Sequence, residues 1–238
     1  MKNYNIAIDG PAGAGKSTIA KSVAKKLGFI YVDTGAMYRA IGLYMLQSGI
    51  NPEEEDKISE ACKQVEVTIE YINGEQQVIL NGENITGLIR TEEAGKMASA
   101  VARFGAVRQK MVELQMKLAA STNVIMDGRD IGTVVLPGAD LKIYLTANTK
   151  ERALRRWKEL KDKGIASDIT DIEEDIRKRD FQDMNREISP LKQAEDAVLL
   201  DSSDLTIEEV IDKIISLFYE KQNSNKSERE FKNERLPQ

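Results

Sequence analysis

Nine residues near the start of the chain, Gly10-Pro11-Ala12-Gly13-Ala14-Gly15-Lys16-Ser17-Thr18, match the pattern G-x-x-x-x-G-K-[ST]. The chemistry such residues suit is the gripping of a nucleotide polyphosphate. Gly13 and Gly15 can adopt backbone angles that point successive N–H groups at one phosphate chain. The helix expected from Lys16 adds its positive N-terminal end. Lys16 reaches the β- and γ-phosphates as a compact charge, and the Ser17 hydroxyl is suited to ligate Mg²⁺. The bland alternative is a glycine-rich turn with no ligand. Against it stands the context: the apolar run Ile6-Ala7-Ile8 precedes the loop, and an amphipathic helical pattern follows it.

Further candidates carry charge suited to a second anion. Asp33-Thr34-Gly35-Ala36-Met37-Tyr38-Arg39 follows a short apolar strand. Thr34 is a good N-cap, and Arg39 follows one to two turns later, where α/β folds bind ligands. Asp127-Gly128-Arg129-Asp130 ends another apolar run and brings two carboxylates and a guanidinium to one sheet edge. A turn held by an Asp–Arg pair is the competing reading. Arg179, Asp183 and Arg186, spaced i, i+4, i+7, share one face if helical. Arg152, Arg155 and Arg156 lie similarly on the preceding helix. Each set alone reads as a solvated ion-pair face of little energetic worth. Together they flank Lys163-Gly164-Ile165-Ala166-Ser167, which suggests a mobile arm of arginines that closes over polyphosphate and excludes water.

Composition narrows the classes. The chain has 238 residues, 41% of them hydrophobic, and a net charge of −5. It has no histidine, which excludes Ser-His-Asp chemistry, Cys-His nucleophiles and His-bearing zinc sites. The one cysteine, Cys62, excludes an intrachain disulfide and reads as a small apolar helix residue. Mild acidity argues against a protein that coats nucleic acid. No apolar signal stretch precedes the loop and no apolar run reaches transmembrane length, so a cytoplasmic protein without a membrane partner is expected. A guanine-reading N-K-x-D motif is missing: Thr146-Ala147-Asn148-Thr149-Lys150-Glu151 does not match it. Val124-Ile125-Met126-Asp127 is the one near candidate for the acidic Mg²⁺–water residue of the larger ATPases.

These residues need a scaffold, and the pattern supplies one. Apolar runs at Ile6–Ile8, Phe29–Val32, Val124–Met126, Leu141–Leu145 and Ala197–Leu200 read as buried strands. Helical patterns at Lys16–Leu27, Val107–Ala119, Lys150–Lys163 and Ile207–Tyr219 alternate with them, which implies an α/β fold with a parallel sheet. One stretch departs from this. Residues 64–86 hold two alternating runs punctuated by Asn73-Gly74 and Asn81-Gly82, the signature of an inserted antiparallel sheet. It is either a decoration or part of the substrate side. Residues 221–238 are almost free of apolar side chains and are expected to be a disordered tail.

Gly10–Thr18, Asp33–Arg39, the two Asn-Gly turns with Gly87-Leu88-Ile89-Arg90-Thr91-Glu92-Glu93, Met126–Pro137 and Lys178–Leu191 together resemble the bacterial cytidylate kinases, from about Ile6 to about Tyr219. That resemblance implies an α/β P-loop kinase domain over 1–220 with a five-stranded parallel core. It implies a monophosphate-binding part at about 35–102 with a small antiparallel β-insert, and a short helical lid at about 150–187. It implies ATP on Gly10–Thr18 and CMP or dCMP across the cleft, as small-molecule substrates of a monomer, with Mg²⁺ on Ser17. Ser99, Arg108 and Asp130 match positions that read cytosine, and Arg179 and Asp183 positions near the sugar. Arg39, Arg129 and Arg186 match positions that hold the CMP phosphate. Thr34, where some members carry Ser, and Tyr38 join the CMP set. Lys16, Arg129, Arg155, Arg156 and Arg186 are the expected catalytic residues. No residue with a tuned pKa is demanded, because the attacking group is already an anionic phosphate oxygen. The rival readings are a small kinase for another acceptor and a nucleotide-operated switch.

Overall fold

The computed structural model describes residues 3–233, with side chains described to residue 224. In chain order, β1 (Asn5–Asp9) leads through the glycine loop into α1 (Lys16–Leu27), and β2 (Ile30–Asp33) runs straight into α2 (Thr34–Gln47). Helix α3 (Glu55–Gln64) precedes the insert, made of β3 (Val67–Ile72), β4 (Glu75–Leu80) and β5 (Glu83–Asn84). Then come α4 (Glu92–Val101), α5 (Gly105–Ser121), β6 (Val124–Gly128) and β7 (Leu141–Thr146). The chain continues through α6 (Thr149–Asp162), α7 (Ile169–Asn185), β8 (Val198–Asp201) and α8 (Ile207–Asn233).

Strands β2, β6, β1, β7 and β8 form one sheet in that order, with every pairing parallel. The expected five strands are all present. Alternate residues of one strand feed opposite cores: Ala7 packs with α2, α5 and the insert, whereas Ile6 and Ile8 pack with α1 and α8. Burial on both faces explains why the strands read as continuous apolar runs. The register brings the polar strand ends level. Asp33 lies opposite Asp127, and Asp9 lies opposite Gly128 and Tyr144. The carboxyl edge of the sheet is therefore acidic before any loop is added.

The insert is antiparallel, with Val67 opposite Leu80 and Ile72 opposite Glu75. Both Asn-Gly pairs turn with positive φ at each residue: 55° and 80° at Asn73 and Gly74, 49° and 84° at Asn81 and Gly82. That is the turn type whose twist suits a two-residue hairpin. Helices α6 and α7 hold each other through a small core of their own, Ala153, Ile172 and Ile176 with Trp157 and Leu160.

Helix α8 continues past Tyr219, the expected end, to Asn233. Residues 221–233 of the expected disordered tail are thus helical, in keeping with the helix propensity of their Glu, Lys, Gln and Arg. Residues 234–238 lie outside the described residues. Among the described residues no helix is long and apolar enough to cross a membrane.

Helix α2 meets α4 at Gly42. A Cβ there would lie 2.8 Å from the backbone N of Ala98 and 2.9 Å from the carbonyl O of Ala94. Backbone cannot yield as a side chain can, so Gly42→Ala should force the helices apart and cost about 1–3 kcal/mol. At this chain size that lowers Tm by about 2–4 °C per kcal/mol. Gly95, inside α4 with open space around it, is the control: Gly95→Ala should hold or raise Tm. Thermal denaturation of both variants checks the contrast, and equal shifts would contradict it.

Candidate active site

The glycine loop closes on itself. Lys16, 6% exposed, donates from Nζ to the Pro11 carbonyl at 2.8 Å, which bends the loop around the ammonium. Gly15 has φ 87° and caps α1, so the first N–H groups of the helix open toward the loop. Burial pushes the Lys16 ammonium below its usual range, with the charge of Arg129 adding to it, while Asp127, Asp9 and Asp183 pull the other way. Ser17 Oγ donates to Asp127 Oδ2 at 2.9 Å.

Asp127 is buried and its second oxygen accepts from the Tyr31 hydroxyl at 2.8 Å. Burial, reinforced by Asp33, raises its pKa. The bland reading of Thr34 as an N-cap does not hold. Asp33 caps α2, accepting from Ala36 N at 2.9 Å, because its carboxylate stands one residue nearer the strand end. Thr34 is the first helical residue, and its hydroxyl donates to the Asp127 carbonyl at 2.6 Å. The insert reaches this edge. The Gln76 side chain accepts from Asp33 N at 2.7 Å and donates to Asp33 O at 3.2 Å, as a neighbouring strand would. Tyr71 donates to the Tyr31 carbonyl at 3.2 Å.

Beyond Asp127 the cluster turns basic. Asp130, buried, pairs with buried Arg108 from α5 through Oδ2. Its Oδ1 lies 3.7 Å from Arg186 Nη2. Asp130 therefore pairs with Arg108 rather than with its chain neighbour Arg129, against the simple turn reading. Arg129 Nε donates to Asp183 Oδ2 at 2.7 Å. Burial works to raise the Asp183 pKa, yet Arg129, Arg179 and Arg186 together hold it below the usual carboxylate range. Arg179 is pushed down to about 10, first by the protein packed around its guanidinium, although the residue as a whole is exposed, and then by Arg129, with Arg39 adding to the repulsion. Tyr38 lies with the Arg108 guanidinium 5.9 Å from its ring centre. Ser99 is half-buried on α4. Arg186 caps α7 with an extended ψ of 142°, so it does not continue the helical face of Arg179 and Asp183 as the spacing suggested.

A family model described as "Cytidylate kinase" matches residues 6–220. The chain belongs to the cytidylate kinase family. A cytidylate kinase of Caldicellulosiruptor saccharolyticus is 54% identical over 219 residues, covering 92% of this chain and 97% of the relative. One of Desulfitobacterium hafniense is 50% identical over 220 residues, covering 92% and 94%. Solved structures are like it in fold alone. An uncharacterised protein from Eubacterium ventriosum gives a TM-score of 0.51 at 11% identity, covering 92% of this chain and 99% of its own. A gluconokinase from Sinorhizobium meliloti gives 0.50 at 11%, covering 94% and 97%.

Arg155 and Arg156, expected in the lid region, both lie on α6. Arg155 stands near the glycine loop, with Nη1 3.9 Å from where a Cβ on Gly15 would lie. Its Nη2 donates to the Ser202 carbonyl at 2.7 Å and its Nη1 to Ser202 Oγ at 3.2 Å. Arg156 points away, half-exposed, and pairs with Glu159 at 2.9 Å. Arg152, grouped with them as a solvated stripe, is instead buried. Sequence reasoning missed Asp9, whose only signal is an acid closing an apolar run. Its Oδ1 accepts from Ile131 N at 2.8 Å and its Oδ2 from Gly132 N at 2.7 Å. It thereby fixes the π-helical turn Ile131–Val135 directly after Asp130.

Asp9 supplies a pH test. Burial raises its pKa from 3.8 to about 6, against the two backbone hydrogen bonds. The folded state therefore binds this proton more tightly than the unfolded chain. Stability from Asp9 grows as pH falls through 6 and levels off below the unfolded value, a change of up to about 3 kcal/mol. Asp9→Asn cannot titrate, so its destabilisation relative to wild type should increase between pH 7 and pH 4. Urea unfolding of both proteins across that range measures it. A cost that shrinks on acidification would mean that the carboxylate form is the favoured one.

Proposed function

We propose that this chain transfers the γ-phosphoryl group of ATP to CMP or dCMP, giving ADP and CDP or dCDP. The observation that carries the reading is the buried Asp130 carboxylate held between Arg108 and Arg186 across the cleft from the glycine loop. Cytosine offers an exocyclic amino donor beside two acceptors, N3 and O2. A carboxylate suits the donor. Arg108 Nε and Arg186 Nη2 are buried guanidinium N–H groups without a protein hydrogen bond, and they suit the acceptors. Uracil would turn a carbonyl toward the carboxylate, which costs more than a missing contact. Ser99 lines the same side, and Asp183 with Arg179 serves the sugar.

Arg39, Arg129 and Arg186 hold the monophosphate in this reading. Arg179 joins them electrostatically, since it feels Arg129 and Arg39 as like charges. A dianion among these guanidinium groups relieves their repulsion and accepts charge-assisted hydrogen bonds. On the donor side Lys16 and the loop N–H groups hold the β- and γ-phosphates. Ser17 and Asp127, hard oxygen donors 2.9 Å apart, fit Mg²⁺ and would hold it against the triphosphate. When bound, Mg²⁺ neutralises charge that develops on the phosphate oxygens. No general base is required, because the attacking CMP oxygen is already anionic. The protein aligns two polyanions and stabilises the charge of transfer, with Arg155 and Arg156 acting when α6 and α7 close.

A coupled assay for ADP, with ATP and each monophosphate in turn, tests the reading. CMP and dCMP should turn over far faster than UMP, AMP or GMP, and Lys16→Ala should abolish the signal. ADP release without any acceptor would favour the nucleotide-operated switch instead. Within that assay Asp130→Ala should cut kcat/KM for CMP by roughly ten- to a hundredfold, the worth of a hydrogen bond to a charged group. Activity with UMP should fall much less. Equal losses for both would make Asp130 a structural residue.

A further inference from the structure

Every donor nitrogen of Arg152 is committed to the protein. Its Nε donates to the Ala147 carbonyl at 2.9 Å and its Nη2 to Thr149 Oγ1 at 3.1 Å. Its Nη1 donates to the Ala12 carbonyl in the glycine loop at 2.9 Å and lies 2.7 Å from Asp180 Oδ2 on α7. The residue is 4% exposed. A guanidinium so enclosed does not reach a nucleotide. It joins the donor loop, the start of α6 and the middle of α7.

A second observation brings α6 against the loop at the same point. A Cβ on Gly13, whose φ is 75°, would lie 3.3 Å from Arg152 Cβ and 3.6 Å from the Arg152 carbonyl O. Glycine here permits the approach as well as the turn. Helix α7 is then tied at two points less than one turn apart. Asp180 holds it to the donor loop through Arg152, and Asp183 holds it to Arg129 on the acceptor side. Arg179 lies next to Asp180 in the chain.

We propose that Arg152 is a positioning residue that sets the distance between the donor loop and the acceptor-side arginines through Asp180, touching neither nucleotide. The proposal rests on the phosphoryl-transfer reading above. In-line transfer depends on placing two anions correctly, and a misplacement of about 1 Å can cost on the order of 10²-fold in rate. Without Arg152, Asp180, largely enclosed and with its Oδ1 lacking a hydrogen-bond partner, loses the guanidinium it pairs with. Removing one partner of an enclosed ion pair is strongly destabilising, so the tie that holds α7 to the donor loop is lost. Each half-site would survive, and their alignment would not.

The test uses the full-length chain as Arg152→Lys and Asp180→Asn, which keep size and polarity should Arg152→Ala fail to fold. Thermal melts establish that each variant is folded. Kd is measured separately for a non-hydrolysable ATP analogue, for CMP, and for a bisubstrate in which adenosine and cytidine are joined by a polyphosphate. Kcat is measured with both substrates saturating. Single-nucleotide Kd values should change by less than about threefold, while bisubstrate affinity falls at least about tenfold and kcat about 10²-fold. The double variant should be little worse than the worse single one, because both break one linkage. Loss of ATP affinity in step with kcat would reduce Arg152 to a support of the loop, and an unchanged kcat would end the proposal. Wild-type turnover with CMP is recorded first. If another monophosphate proves to be the acceptor, the functional reading fails alone, and the same measurements with that acceptor decide the role of Arg152.

Discussion

Arg108, Arg129 and Arg186 meet at the carboxyl end of the sheet with Asp130 and Asp183 held between them. Asp130 separates Arg108 from Arg186, and Asp183 stands against Arg129 and within 4.0 Å of Arg186. The partners come from far apart in sequence, so each pair also fastens one element to another. Arg108 brings α5 to the turn after β6, and Arg129 brings that turn to α7. Burying such pairs yields little net stability, because desolvation offsets the attraction. Their consequence is geometric. Arg39 and Arg179 add positive charge beside these pairs, which Asp127 and Asp180 offset in part, and in the proposed reading a monophosphate dianion completes the balance.

The same logic governs the floor of the site. Asp9 ends β1 and Asp127 stands one residue before the end of the adjacent β6, and both are pushed toward the neutral form by burial. They remain useful because each is tied to backbone or hydroxyl donors. Asp9 takes two N–H groups of the turn that aims Asp130, and Asp127 takes Ser17 and Tyr31. Strand β2 is an edge of the sheet, and an exposed edge invites slippage. Gln76 and Tyr71 from the insert occupy the backbone groups of Asp33 and Tyr31 there. The insert thus braces the strand from which Thr34 and Arg39 start, whatever its further contact with substrate.

Local rules made much of this legible in the sequence. The glycine loop, the Asn-Gly turns and the apolar runs each depend on a few neighbouring residues, and their strands and hairpins appear where the patterns put them. Features set by distant partners did not read out. Arg152 looks like one member of a solvated stripe because nothing near it in sequence announces Ala12 or Asp180. Arg186 keeps helical spacing from Asp183, yet the helix ends before it. Thr34 has the chemistry of an N-cap, and Asp33 takes the position by standing one residue earlier. Asp9 is an acid at the end of a strand, and its two acceptor bonds exist only once residues 131 and 132 fold back over it.

Helices α6 and α7 share a small core of their own, and polar groups fasten them to the rest of the chain, an attachment suited to the closure proposed above. The Nε of Arg155 lies 3.4 Å from Glu151 Oε1, while its Nη groups are bound to the neutral carbonyl and hydroxyl of Ser202 after β8. A phosphate oxygen is a stronger partner for a guanidinium than either, since both members then carry charge. Polyphosphate on the loop therefore makes it favourable for Arg155 to exchange Ser202 for the anion. Arg152 has no such exchange open to it, because its nitrogens are already shared among protein acceptors, one of them a carboxylate. In the proposed reading the two arginines, three residues apart on α6, divide the work: Arg152 is the fixed point, and Arg155 is the group the anion draws in.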